Sequence, residues 1–385
     1  MKNRINKIVL SMILPLIIIL ITNCTYQEQK KETTMENSEK NLPNEFMLPA
    51  GLFFLKDGQI WLLDKEDMNS VQITNEEDPI TEFDFSASSD YLVYVSGNQL
   101  ILAQKDGSNR NSVRRGQVLA SLKDQLEMMN DELQIKYGIR SPRFSVDGSK
   151  ISFVENGLWL MDVETEKLDL IWVNSSDYQN IIYRLLTWSP DEENFLVSGY
   201  ALPVKSLYDL TIGLVSKDRL VTLPNTSVDG YAWFAGGKGL ILSQSKAGHP
   251  GSLMRCEVDE FRCVGIAEFE PARWYYYYAF PRVVDDVNIQ VFMAALADPS
   301  QIPDRFKLIR VNLQGNNRQE LMPEEFPVEL GLWSPDGNGV VVQLSKTMQD
   351  HSTGAVLWVD LVQKKIYELS VSGVSQMKWD GNRQN

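Results

Sequence analysis

Few residues of this chain have the type and spacing that chemistry needs. The two histidines, His249 and His351, lie in loop-like contexts, each without a second histidine at ligand spacing. No metal site is expected. Asp285 and Asp286 are adjacent carboxylates. Paired carboxylates can bind calcium or serve as acid and base in glycoside hydrolysis. Neighbouring acids in a loop are more often solvated, and no twelve-residue calcium loop with alternating ligands accompanies them. A Ser-His-Asp hydrolase would need a G-x-S-x-G elbow on an α/β domain, and a nucleotide site would need a phosphate-cradling glycine loop. Neither motif is present, so no catalytic residue and no cofactor is expected.

Cys256 and Cys263 flank Asp259-Glu260. A tight turn there places 258 opposite 261 and 256 opposite 263, on one face of a hairpin and within disulfide range. The reading predicts a disulfide; the alternative is a pair of small buried hydrophobes. The run Trp274-Tyr275-Tyr276-Tyr277-Tyr278-Ala279-Phe280 could stack on sugar rings. In a strand its members alternate between faces, so packing between buried sheets is the stronger expectation.

The elements that must position these residues repeat. An aromatic followed by a turn recurs at Phe85, Phe144, Trp188, Trp233, Trp333 and Trp379, with a degenerate copy near Phe280-Pro281. The spacings are about 44 to 59 residues, near the length of one four-stranded blade. After each turn comes a β-rich run such as Val340-Val341-Val342-Gln343-Leu344, and then strands such as Leu357-Trp358-Val359-Asp360. Residues 51–74 lack an innermost strand, and residues 374–381 are an innermost strand with nothing after it. Pairing the two closes a ring and hides both edges. The expected fold is all-β: a propeller of seven four-stranded blades over residues 49–385, closed by the C-terminal strand joining the first blade. One insertion, at about 112–137, breaks the rhythm. Apolar positions 118, 119, 122, 126, 129 and 133 predict an amphipathic helix within it. The helix is read as packed on the propeller's own surface, with a lid or a partner-docking helix as the alternative.

Trp188-Ser189-Pro190-Asp191 and Trp333-Ser334-Pro335-Asp336-Gly337 resemble the repeat of TolB-like β-propellers, which is shared by the propellers of prolyl-oligopeptidase and dipeptidyl-peptidase-type enzymes. The resemblance covers nearly all of residues 50–381 and implies the fold. For the TolB-like branch it also implies an envelope location and protein binding. The extra N-terminal domain of that branch is not expected here, and a peptidase's catalytic domain has no residues left to build it.

The N-terminus carries Lys2, Arg4 and Lys7, then an apolar run over residues 8–21 broken only by Ser11 and Pro15. The run is shorter than the roughly 20 residues of a spanning helix and fits a signal peptide better. It ends at Ile21-Thr22-Asn23-Cys24, which resembles a bacterial lipoprotein signal, with Asn23 where a small residue is usual. The resemblance implies lipidation of Cys24. An uncleaved anchor or a secreted protein is the alternative. Residues 25–48 are polar, without apolar period, and read as a disordered tether. The formal net charge of −14 disfavours nucleic acid. The expectation is an extracytoplasmic, membrane-anchored module binding an envelope or extracellular protein, peptide or glycan. A carbohydrate-active hydrolase or lyase on the same scaffold is the alternative.

Overall fold

The computed structural model describes residues 46–116, 138–155, 157–173, 181–201, 210–216, 219–224, 228–246, 249–266, 274–298, 301, 303–347 and 350–381. Twenty-eight strands, β1 to β28, follow one another in the chain. They are β1 (Gly51–Lys56), β2 (Gln59–Leu63) and β3 (Ser70–Gln72), then β4 (Ile80–Ser86), β5 (Tyr91–Ser96), β6 (Gln99–Gln104) and β7 (Asn111–Arg115). Next come β8 (Arg140–Phe144), β9 (Lys150–Val154), β10 (Gly157–Asp162) and β11 (Leu168–Val173), then β12 (Ile181–Trp188), β13 (Phe195–Ala201), β14 (Leu210–Ser216) and β15 (Arg219–Pro224). The chain continues through β16 (Gly230–Trp233), β17 (Gly239–Lys246), β18 (His249–Glu257) and β19 (Arg262–Gly265), and through β20 (Tyr275–Val283), β21 (Asn288–Leu296), β22 (Phe306–Asn312) and β23 (Gln319–Phe326). It ends with β24 (Val328–Trp333), β25 (Gly339–Thr347), β26 (Asp350–Asp360), β27 (Lys365–Ser372) and β28 (Val374–Asp380).

These strands form seven four-stranded antiparallel sheets. Six use four consecutive strands, and the first is ordered β28-β1-β2-β3. We number the blades 1 to 7 from that sheet. The protein is therefore an all-β, seven-bladed propeller whose last strand completes its first blade.

Each blade is buried where it meets its neighbours. In β17, Leu240 and Leu242 pack with Leu196, Ile212 and Leu214 of blade 4, while Ile241 packs with Tyr276, Tyr278 and Val291 of blade 6. Alternate side chains thus serve opposite seams, which is why the middle strands read as continuous apolar runs. The fourth strands β3 and β7 lie largely towards solvent and are mostly polar.

The turn after each first strand explains the recurring motif. At Ser334 the hydroxyl donates to Asp336 Oδ1 at 2.6 Å and accepts from the Gly339 N–H at 3.1 Å. The Asn338 N–H donates to the same Asp336 oxygen, and Gly337 sits at φ +73°, where a side chain would be strained. Ser189–Asp191 and Ser145–Asp147 repeat the Ser–Asp bond at 2.5 and 2.7 Å.

Blade 6 departs from the expected pattern. Phe280 does not end its strand: it lies within β20 at φ +49°, beside a register shift between Ala279 and Arg282. The backbone bond that closes the other turns, Ser334 N–H to Gly339 O, is made here by Val284 N–H to Asn288 O. The residue before the turn is therefore Val283, three positions beyond the expected anchor, because the bulge consumes extra chain.

Neighbouring first strands are tied at each joint of the ring. Lys378 of β28 meets Asp84 of β4 at 2.9 Å, and the Phe83 N–H donates to Gln376 Oε1 at 3.0 Å. The Phe144 N–H donates to Asp84 Oδ2 at 3.0 Å, joining β8 to β4. Arg143 Nε and the Tyr231 hydroxyl both donate to the Leu186 carbonyl, at 3.1 and 2.9 Å, joining β8 and β16 to β12. Gly230 comes so close to Phe280 and Pro281 of β20 that a Cβ there would overlap them. The indole N–H of Trp333 donates to Phe280 O, and that of Trp379 to Trp333 O, each at 2.7 Å. Closure is thus made by the backbone pairing of Leu52 with Trp379 and Phe54 with Met377, and by side chains reaching both neighbouring blades.

Two boundaries move from their sequence-based positions. Leu48, placed in the tether, is buried, and its N–H donates to Lys65 O at 3.0 Å. Residues 112–115, placed in the insertion, belong to β7, the outer strand of blade 2. The helix expected over 118–133 and Cys24 lie outside the described residues. Among the described residues no helix is long and apolar enough to cross a membrane.

Candidate functional site on the axial strands

The first strands carry the apolar anchors of the seams and, between them, a group of charged residues around the axis. In β4, Phe83 and Phe85 pack with Phe53, Leu55 and Ile60 of blade 1. Strand alternation turns Glu82 and Asp84 the other way, towards β8. Asp84 is fully buried and accepts from both Lys378 and the Phe144 N–H, so one carboxylate joins blades 1, 2 and 3. A buried carboxylate is tolerated only when its charge and lone pairs are met in this way.

Glu82 reaches further. Its Oε2 lies 3.8 Å from Arg184 Nη2 of blade 4, so the pair spans the short strand β8. Arg184 is half exposed, whereas Glu82 Oε2 is buried and accepts no hydrogen bond. The strand between them, β8, carries Ser141. It is completely buried, holds φ +51°, and its hydroxyl has no hydrogen-bond partner. A serine held left-handed costs roughly 1–2 kcal/mol, and an unmet buried hydroxyl adds to that. Such outliers point towards sites. Arg143 lies on the same strand, 6% exposed, with Nε donating to Leu186 O and Nη1 to Pro142 O at 2.6 Å. Its cation is held by carbonyls.

The axial strands of blades 2 to 4 thus offer one carboxylate with a spare buried oxygen and one half-exposed guanidinium, that of Arg184, while Arg143 is already bound and Ser141 is enclosed. This arrangement can hold a polar ligand by several directed bonds. Activating Ser141 as a nucleophile would need a hydrogen bond to a base. No such bond is made, and both histidines lie elsewhere, on blades 5 and 7.

The residues singled out from sequence fall elsewhere too. Cys256 pairs in register with Cys263 across β18 and β19, and the two are joined by a disulfide on blade 5. The Phe261 N–H donates to Val258 O at the turn between them. His249 opens β18 and His351 lies in β26, not in loops, because these hairpins run longer than the turn residues suggested. Asp285 and Asp286 are exposed in the turn of blade 6. Asp285 Oδ1 accepts from the Val287 and Asn288 N–H groups at 2.8 and 2.7 Å. The Asn288 side-chain amide and these N–H groups hold its pKa below the ordinary carboxylate value. It does the turn-forming work of Asp336 in blade 7. Tyr276, Tyr277 and Tyr278 are buried, with the first and third in the seam with blade 5, and Trp274 is exposed. Among the described residues no group of three His, Cys, Asp or Glu side chains is placed to hold a metal.

The axial residues escaped sequence reading. Thr81-Glu82-Phe83-Asp84-Phe85 alternates polar and apolar, which is also the pattern of a strand with one solvated face. Only the ring, by bringing β28, β4, β8 and β12 side by side, turns that face inward.

No protein-family profile matches the chain, and no curated protein matches it. Solved structures similar to it include TolB from Acinetobacter baumannii, 13% identical over 70% of this chain and 63% of that one, with a TM-score of 0.39. Dihydro-heme d1 dehydrogenase NirN is 12% identical over 87% of this chain and 76% of its own, with a TM-score of 0.48. Porphyromonas gingivalis dipeptidyl peptidase 4 is 10% identical over 88% of this chain, with a TM-score of 0.49. The chain spans 63% of that TolB and 55% of that peptidase. Likeness at this level does not reach activity, substrate or partner.

Proposed function

We propose that this protein is an extracytoplasmic binding module, held to a membrane through lipid on Cys24 and docking an envelope or extracellular protein, peptide or glycan at its axis. The observation that carries the binding reading is the Glu82–Arg184 pair spanning β8, in which Glu82 Oε2 is buried and accepts no hydrogen bond while Arg184 is half exposed. A ligand that supplies a donor to Glu82 and an acceptor to the half-exposed Arg184 would meet the carboxylate's spare oxygen and use both members of the pair. Support for the anchor is the basic N-terminus, the short apolar run and the cysteine that follows it.

Affinity capture from solubilised membranes tests the binding reading. The wild type should retain a partner or glycan that Arg184→Glu loses, with the variant's melting temperature within a few degrees of wild type. Equal retention by both would remove the axis from the reading. The anchor is tested separately: Cys24→Ser should move the protein from the membrane to the soluble fraction, and retention on membranes would contradict lipidation.

A further inference from the structure

A second place in the ring has cations short of acceptors. In blade 6, Arg282 of β20 pairs in register with Gln290 of β21, and Gln290 pairs with Arg310 of β22. Cross-strand partners share a face, so the three form a row. The next row, Ala279, Phe292 and Leu308, belongs to the apolar seam with blade 7. The row of Arg282, Gln290 and Arg310 therefore faces blade 7 too, at the end of the seam where the blade 7 turn lies. Gly337 of that turn lies directly on the Arg282 guanidinium; a Cβ there would overlap it.

Both guanidiniums are poorly satisfied. The hydrogen bond Arg282 makes is a long one, 3.4 Å from Nη1 to Gln290 Oε1. Arg310 Nε is buried and has no partner. Among the described residues no carboxylate lies within the 4.0 Å of an ion pair from either group. Burial disfavours the Arg282 cation, the more so beside Arg310, and Asp336 offsets this in part.

The nearest acids are already committed. Asp336 Oδ1 accepts from Ser334 and the Asn338 N–H, and its Oδ2 from the Asn338 amide. Asp285 is bound within its own turn by Val287 and Asn288. These carboxylates lend their field without supplying acceptors. What the row lacks is a group with several anionic oxygens. Two guanidinium forks offer up to four directed N–H groups, which suits a tetrahedral oxyanion better than a carboxylate's two oxygens.

We propose that Arg282 and Arg310 form a binding site for a phosphate- or sulfate-type oxyanion in the seam between blades 6 and 7. The site is separate from the axial cluster and does not depend on it. The anion would bridge the two guanidiniums, with Gln290 on the strand between them. Its source can be the free ion or an ester carried by a larger ligand.

Titration calorimetry on the purified full chain, at fixed ionic strength, tests this with inorganic phosphate, sulfate, methyl phosphate and acetate. Saturable one-to-one binding of phosphate or sulfate is expected, with acetate at least tenfold weaker. Arg310→Gln should weaken binding at least tenfold, and Arg310→Lys should fall between, because it keeps the charge and loses the fork. Binding of methyl phosphate would assign the site to esters as well as the free ion, and its failure would restrict the site to the free ion. Absence of saturable binding by both inorganic anions would overturn the proposal. So would an affinity unchanged in Arg310→Gln. If Arg310→Gln fails to fold, the wild-type titration together with Arg310→Lys decides the matter on the same criteria.

Discussion

Blades 6 and 7 build the same joint with different chemistry. In blade 7, β24 ends on Trp333, whose indole reaches back to the Phe280 carbonyl and packs on Phe292 at 5.8 Å. Ser334 and Asp336 then lock the turn. In blade 6 the corresponding place holds Val283, which has no polar handle, and Val284 stands where the turn serine would be. Asp285 alone collects the N–H groups of the turn, while Phe280, displaced by the bulge, packs edge-on against Phe292. The ring therefore needs a filled seam and a turn that ends the first strand on time. It does not need any one side chain. A tryptophan supplies both packing and a bond to the preceding blade; in blade 6 Val283 supplies the packing against blade 5 and Asp285 holds the turn, while Phe280 packs in the seam with blade 7.

The largest effect expected from this contrast is at the anchors. Trp333→Ala should destabilise the domain by about 3 kcal/mol, and Val283→Ala by about 2 kcal/mol, since a smaller apolar group is removed and no bond is lost. Urea unfolding of the two variants measures the difference. A Val283 effect equal to or larger than that of Trp333 would break the idea that blade 6 spreads its anchor over several residues. A finer probe is Trp333→Phe, which keeps most of the packing and removes the indole N–H. It should lose about 1 kcal/mol by the same measurement, the usual worth of a single hydrogen bond.

The smallest effect is at the turns and depends on pH. The pKa of Asp336 is lowered: burial pushes it up, but bonds from Ser334 and Asn338 outweigh this. That of Asp285 is lowered chiefly by Asn288 and by the Val287 N–H. A carboxyl depressed in the folded state adds stability that is fully present above the ordinary carboxylate range. That stability is lost as pH falls through the depressed value. Stability should therefore decline as pH falls below about 4, and each of Asp336→Asn and Asp285→Asn should flatten that decline. Melting temperatures recorded from neutral pH downwards would show it. Curves parallel to wild type for both variants would mean that neither turn contributes through its carboxylate.

Much of the ring was legible because tryptophan, serine, proline and aspartate mark first strands and their turns by type alone. Closure was legible from a surplus strand at one end and a deficit at the other. Blade 6 was misplaced by three residues because a run of tyrosines carries no turn signal and a bulge leaves no mark in composition. The start of the fold was placed late because Phe46-Met47-Leu48 is too short an apolar run to show a period beside the polar stretch before it. The axial group was not legible: Glu82, Ser141 and Arg184 are distant in sequence, and their relation exists only once three blades stand side by side. The same holds for Arg282 and Arg310, which look like ordinary strand-surface arginines until Gln290 pairs with both and the turn of the next blade lies on Arg282.

The account rests most heavily on β28 belonging to blade 1. Native-state hydrogen exchange read by mass spectrometry, on the peptide spanning residues 374–380, addresses this directly. Protection comparable to the central strand β25 is the predicted result, because the amides paired with β1 would open only when the ring does. Exchange within seconds, at the rate of a frayed terminus, would contradict a ring closed by its last strand.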